Sequence, residues 1–274
     1  MISVIRALWV RNLKVFVRNK PALIFSLVFP FFFVFVFSGI FGSAAMMLAG
    51  IIITTVFDAS LRISSNTIDD MTGGFMKEVL VSPIPRVAVA LGQFASSATV
   101  GTAQGILIYV IGFVLGLRPD SALTVVAAIL SMVFVGFIFA GLGLFIASKA
   151  KNMQTFQSVS MAITMPMTFI SGAYIPLSAL PMPLQWVGRI NPMTYAVHFF
   201  RQVIMDRRDP TIEALLAAEQ TILTIAGVAI TPFLAVLILA AFGALFLLLS
   251  TVTFARLDFS RMNRSKEAAA DFWN

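Results

Sequence analysis

Five stretches without a single formal charge decide what this chain can fold into. They lie between Lys20 and Asp58 (37 residues), Arg86 and Arg118 (31), Asp120 and Lys149 (28), Lys151 and Arg189 (37), and Glu219 and Arg256 (36). A helix crosses a bilayer with about 20 apolar residues, so each stretch is long enough to span. Charged residues make up 11% of the chain and apolar residues 59%, whereas a soluble domain carries about 25% charge. A soluble globular domain, a disordered chain and a nucleic-acid binder are thereby excluded. The net charge of +7 is read as membrane topology rather than affinity for phosphate backbones. There is no cysteine and a single histidine, His198. Disulfides, thiolate chemistry and a clustered metal site are therefore not expected.

The first stretch is too long for one crossing. As a helix its 37 residues would measure about 55 Å, against a hydrocarbon core of about 30 Å. Two spans joined by a tight hairpin are expected, with the break at Gly39, Gly42, Ser43 and Ala44. The spans are then roughly 22–41, 44–64, 88–117, 122–148, 155–175 and 226–253. Pro176, Pro181, Pro183 and Pro192 interrupt the segment 176–220, yet it stays apolar. It reads as short re-entrant or interfacial helices, with Trp186 and Tyr195 at headgroup depth.

Residues 1–20 read as an amphipathic helix on the inner interface, with Ile5, Trp9, Leu13 and Phe16 on one face and Arg11, Lys14 and Arg18 on the other. A plain basic flank of the first span is the alternative. The apolar run behind it exceeds a signal-peptide core of about 7–15 residues. A cleaved leader is therefore not expected, although Gly42-Ser43-Ala44-Ala45 has the look of a cleavage site. The expected fold is thus an all-α integral membrane protein with six transmembrane helices. An interfacial helix (1–20) leads into a membrane domain (21–256, outer segment 176–220), and a cytoplasmic tail (257–274) follows. With the N-terminus inside, inner segments hold 14 Lys and Arg and outer segments 5. That bias places both termini in the cytoplasm.

Several residues stand out on chemical grounds. In the inner loop, residues 75–81 form a short helix bearing Phe75, Met76, Val79 and Leu80, stopped by Ser82-Pro83. Such a helix offers a partner an apolar face, or lies as a stub on the inner leaflet. Asp58 and Arg62, one turn apart in span two, share a helix face. A carboxylate at span depth is costly and marks a functional contact by default. A local pair with a snorkelling Arg62 is the other reading. In span five, Pro166 allows a kink. Met161, Thr164, Met165, Met167 and Phe169 make an adaptable surface, or ordinary packing. Gly101-x-x-x-Gly105 and Gly112-x-x-x-Gly116 permit close helix contact. His198 is a proton relay or, preferably, an interface hydrogen bonder.

Three stretches carry a resemblance. Gly73-Gly74-Phe75-Met76-Lys77-Glu78-Val79-Leu80-Val81-Ser82-Pro83-Ile84-Pro85-Arg86 resembles the cytoplasmic loop of ABC type-2 permeases, the membrane halves of ATP-driven exporters. Ser171-Gly172-Ala173-Tyr174-Ile175-Pro176 is similar to that family's end of span five. Trp186, Asn191-Pro192-Met193-Thr194-Tyr195 and Arg201 resemble its outer-segment signature. The three occur in family order, and the daunorubicin-resistance and nodulation-export subgroup is the most similar. One departure is the very short outer loop between spans one and two.

The resemblance implies an ATPase-coupling surface at Gly73, Gly74, Phe75, Met76, Lys77, Glu78, Leu80, Ser82, Pro83 and Arg86. It implies a substrate pathway beside spans two and five, at Thr54, Asp58, Arg62, Met161, Thr164, Met165 and Phe169. It also implies an outer-segment motif at Trp186, Asn191, Pro192, Tyr195 and Arg201. The partners implied are two copies of a separate ABC ATPase, and a second copy of this chain or a close homologue, in a prokaryotic plasma membrane. No lysine is followed by Ser or Thr, so the sequence holds no Gly-x-x-x-x-Gly-Lys-Ser/Thr loop. ATP and magnesium would sit on the partner, and this chain would bind no cofactor and no nucleic acid. The implied substrate is hydrophobic or amphipathic, drug-like or lipid-like. Export of a lipid-linked glycan is an alternative, as is an ATP-independent secondary transporter or channel. The latter predicts charged relays in several spans, or internal repeats.

Overall fold

In hydrocarbon every backbone amide must find its partner within the protein, and the chain meets that demand with helices. The computed structural model describes residues 2–41, 44–73, 86–114, 119, 121–205, 223 and 230–255, and there is no strand among them. In chain order the helices are α1 (Ile2–Arg18), α2 (Lys20–Phe41), α3 (Ala44–Ile63), α4 (Asn66–Thr72) and α5 (Arg86–Val114). They continue with α6 (Ala122–Lys149), α7 (Met153–Ile170), α8 (Met182–Ile190), α9 (Pro192–Ile204) and α10 (Pro232–Ala255). A 3₁₀ turn, Leu177–Ala179, precedes α8. A helix occupies each of the six expected spans. Four segments are long and apolar enough to cross a membrane among the described residues: Met47–Asp70, Val87–Val114, Ala122–Lys149 and Pro232–Thr253.

Sequence sets these boundaries through local chemistry. Ser121 caps α6 by accepting the Thr124 amide at 3.2 Å. Asn152 caps α7 by accepting the Thr155 amide at 2.8 Å. Both satisfy amides that the first helical turn leaves open. Pro166 sits inside α7. After Ile170 the chain turns through Gly172, whose φ of 84° lies where an L side chain is strained.

Helix α3 is the centre of the bundle. It packs against α2, α5, α6 and α9, while α10 covers α6 and α9. Residues 47–57 of α3 are buried throughout. The packing relies on small residues, as van der Waals contact between helices in lipid requires. A Cβ on Gly101 would lie 2.2 Å from Ser60 Oγ, and one on Gly105 would lie 2.6 Å from Val56 Cγ2. The first of the two expected Gly-x-x-x-Gly pairs thus brings α5 onto α3. Phe57 and Phe139 meet edge to face with ring centroids 4.5 Å apart, joining α3 to α6.

Helix α1 lies on α5, with a different buried face from the one the periodicity predicts. Leu8 and Asn12 are buried, while Ile5, Trp9, Leu13 and Phe16 are half-buried and Lys14 and Arg18 exposed. The stripe is offset because Asn12 finds amide and hydroxyl partners in α5, so its polarity is no bar to burial. Arg11, expected on the polar face, turns toward α4.

Candidate functional site

Three places gather the residues singled out above. At the first, Arg11 on α1 forms a two-pronged salt bridge with Asp70 on α4, one bond measuring 2.8 Å. Asp70 is 4% exposed and Arg11 38%. Paired bonds between a guanidinium and a carboxylate are short and directional. The bond to Asp70 holds the Arg11 guanidinium above its usual pKa. One residue further along α1, the Asn12 amide donates to Gln93 Oε1 at 2.6 Å and to Ser96 Oγ at 3.0 Å, both on α5. Trp9 adds a bond from its indole N–H to Thr99 Oγ1 at 2.9 Å.

Gly73 follows Asp70 by three residues and Arg86 opens α5. Helix α1 therefore bridges the two sides of the loop 73–86. Of the loop, Gly74, Phe75, Met76, Lys77, Glu78, Leu80, Ser82 and Pro83 lie outside the described residues, as does the side chain of Arg86.

The second place is a cavity of about 280 Å³ beside α3. Thr54, Thr55, Asp58 and Arg62 line one side of it, Phe25, Pro30 and Phe33 of α2 another, and Gln104 and Tyr174 complete the wall. Phe33 stacks on Tyr174 with centroids 4.8 Å apart, and Phe169 tilts against Tyr174 at 5.7 Å. Asp58 and Arg62 act on each other electrostatically, as their spacing allows, without closing into a salt bridge. No bridge within 4.0 Å joins Asp58 to Arg62. The substrate-pathway residues therefore divide. Thr54, Asp58 and Arg62 share the cavity. Met161, Met165 and Phe169 lie exposed on α7 with Thr164 half-buried beside them, and only Phe169 reaches the cavity wall, through Tyr174.

The third place joins the other two motifs. Arg201 on α9 is fully buried and donates from Nη2 to the Gly172 carbonyl at 2.6 Å and the Ala173 carbonyl at 3.4 Å. On the far side of that turn, a Cβ on Gly50 of α3 would lie 2.1 Å from the Ala173 carbonyl oxygen. Asn191 serves two helices. Its side-chain oxygen accepts the Met193 amide at 3.0 Å at the start of α9. Its Nδ2 donates at 2.7 Å to the Met167 carbonyl in the last turn of α7. Pro192 follows at the first helical position, where its missing N–H costs nothing.

Tyr195 was expected at the interface with Trp186. It is instead 2% exposed, and its hydroxyl donates to the Arg189 carbonyl. Trp186 remains 57% exposed, with the Arg189 guanidinium 4.3 Å from its ring centroid. His198 is fully buried, its Nε2 within hydrogen-bond distance of the Ile230 carbonyl at 3.1 Å.

Sequence reading missed Arg11, Asn12, Gln93, Gly50 and Gln104. A polar Asn beside the apolar stripe of α1 and a lone glycine in mid-span two were the signals available for Asn12 and Gly50. The Arg11–Asp70 contact spans 59 positions and leaves no local trace.

These places define an all-helical membrane protein with a polar cavity among its apolar helices and a tether across the two sides of the loop 73–86. Residues 3–205 match the ABC-2 type transporter family, and the chain belongs to that family. It is 25% identical over 211 residues to the ycf38 transport permease of Cyanophora paradoxa, covering 70% of this chain and 71% of the relative. It is 27% identical over 117 residues to nodulation protein J of Rhizobium meliloti (strain 1021), covering 43% and 44%. It is 27% identical over 126 residues to the inner membrane transport permease YadH of Escherichia coli (strain K12), covering 46% and 48%. The matched part spans less than half the length of the nodulation protein J and YadH relatives.

Proposed function

We propose that this chain is the transmembrane subunit of an ATP-driven exporter in a prokaryotic plasma membrane. It crosses the membrane six times with both termini cytoplasmic, and pairs with a second copy of itself or a close homologue. The domain limits follow the expectation: 1–20 on the inner interface, 21–256 in the membrane and 257–274 in the cytoplasm. Two copies of a separate ABC ATPase, carrying ATP and magnesium, dock on residues 73–86, and this chain binds no cofactor. The substrate is a hydrophobic or amphipathic molecule taken from the cytoplasm or inner leaflet.

Membership of the ABC-2 type transporter family over residues 3–205 is the observation that carries this reading. The helix placed at each expected span supports the count of six, and the excess of Lys and Arg on the inner segments supports the orientation. The Arg11–Asp70 bridge supports a mechanical role for the loop, because it fixes the loop's approach from α3. Affinity capture of the full chain tests the proposal. An ABC ATPase should co-purify at one copy per chain, and ATP hydrolysis by the pair should respond to candidate amphiphiles. Capture that yields no ATPase, together with unaltered efflux in a strain depleted of every candidate ATPase, refutes it.

A further inference from the structure

The cavity beside α3 has a charge at each of two levels and an aromatic end. Along α3, Thr54, Asp58 and Arg62 follow one another at one-turn intervals, so they cover about 12 Å with Asp58 and Arg62 about 6 Å apart. Arg62 is exposed and Phe25 opposite it is 68% exposed, which makes these two the mouth. The stacked rings of Phe33 and Tyr174 close the other end. No salt bridge within 4.0 Å joins the Asp58 carboxylate to the Arg62 guanidinium, although the two charges act on each other across the gap. Thr54 and Thr55 donate their hydroxyl protons to the Ile51 carbonyl at 3.0 and 2.7 Å; the Thr54 oxygen is also engaged by the Tyr174 hydroxyl, so Thr55 is the one that turns oxygen lone pairs, not a proton, toward a ligand. The level of Asp58 is therefore an acceptor site and the level of Arg62 a donor site.

Charges at span depth are costly and persist where they are used. A carboxylate beside an acceptor hydroxyl and aromatic faces suits an ammonium. A guanidinium at the mouth suits a carboxylate, sulfonate or phosphate. With one charge of each sign, the cavity leaves a purely cationic or purely anionic ligand facing an unsatisfied like charge. We propose that this cavity binds a zwitterionic amphiphile. Its anionic group lies on Arg62, its ammonium lies on Asp58, and its apolar body runs back past Phe33 and out along Phe25 at the mouth. The inference rests on the exporter reading and specifies its substrate class. Because Phe25 is at the mouth, the amphiphile arrives from the lipid rather than from water.

The test uses the full chain in nanodiscs of uncharged lipid and a radiolabelled alkyl betaine, N-dodecyl-N,N-dimethylglycine, with empty nanodiscs as background. Saturable binding at one site per chain is expected, and Asp58→Asn and Arg62→Gln should each raise Kd roughly tenfold or more. Dodecyltrimethylammonium should compete more weakly and lose its effect only in Asp58→Asn. Dodecyl sulfate should lose its effect only in Arg62→Gln. Arg62 is exposed, so its variant folds even if the Asp58 variant does not, and circular dichroism checks both. Absence of a saturable component overturns the proposal. So does betaine binding that depends on Asp58 alone, which would mark a site for simple organic cations. The assay needs no ATPase, so its failure leaves ATPase capture unaffected, and failed capture leaves this binding result standing.

Discussion

Replacing Gly50 by alanine adds a single methyl group where the bundle has no room for it. The new Cβ would sit 2.1 Å from the Ala173 oxygen, 2.7 Å from its carbonyl carbon and 2.8 Å from its Cα. All three are backbone atoms, so no side-chain rotation relieves the clash, and α3 or the turn after α7 must move by about 1 Å. Overpacking of this kind costs about 1–3 kcal/mol. The turn is held from the other side by the 2.6 Å bond from Arg201 to the Gly172 carbonyl. Stretching a hydrogen bond to a charged group forfeits part of a further 1.5–3 kcal/mol or so. The two effects share one segment and do not simply add, so a loss of about 3 kcal/mol is expected. That corresponds to a fall in Tm on the order of 5–10 °C. Thermal unfolding of the purified full chain in detergent, followed by circular dichroism, reads it directly. Gly188→Ala is the control, because its nearest backbone oxygen, that of Ile170, is 3.1 Å away, and its shift should be clearly smaller. If Gly50→Ala melts within about 1 °C of wild type, α3 does not press on the turn and the reasoning is refuted.

Three other perturbations follow from the same contacts. Arg11→Gln strands the buried Asp70 carboxylate and should cost about 1–3 kcal/mol; exchanging the charges, Arg11→Asp with Asp70→Arg, should recover much of it in thermal melts and in ATP-driven efflux. Asn12→Leu leaves the buried Gln93 amide without its partner and should cost about 1–3 kcal/mol, whereas adding Gln93→Leu should restore stability; a double-mutant cycle in which the losses simply sum contradicts the 2.6 Å bond. Asn191→Ala removes a cap from α9 and a donor from the end of α7, so its cost should reach or exceed about 2 kcal/mol, and Asn191→Asp, which keeps only the acceptor, should fall between alanine and wild type.

Charge spacing made the bundle legible, because the price of charge in hydrocarbon is high enough to fix span positions without any knowledge of packing. The division of the first uncharged stretch into two helices, one ending at Phe41 and the next starting at Ala44, followed from length alone, whereas the helix expected to reach about residue 175 ends at Ile170. The site was less legible. Asp58 and Arg62 pointed to each other by spacing, yet each opens onto a cavity whose other walls come from α2, Gln104 and Tyr174. Tyr195 looked like an interface residue by type, but its position on α9 buries it against neighbouring helices, and type alone carries no such information. Arg11 looked solvated on a helical wheel, because its partner lies on another helix.

The contacts of α1 have a consequence for how force passes through the inner face. Arg11 grips the approach to the loop at Asp70, and Asn12 grips the first turns of the outgoing helix at Gln93 and Ser96. One half-turn of α1 thus works as a yoke across the loop's two stems. A push or pull on residues 74–85 cannot spread or pinch the stems without first breaking buried polar bonds. A displacement of either stem is thereby shared with α1, and α4 follows directly on the helix that carries Asp58 and Arg62.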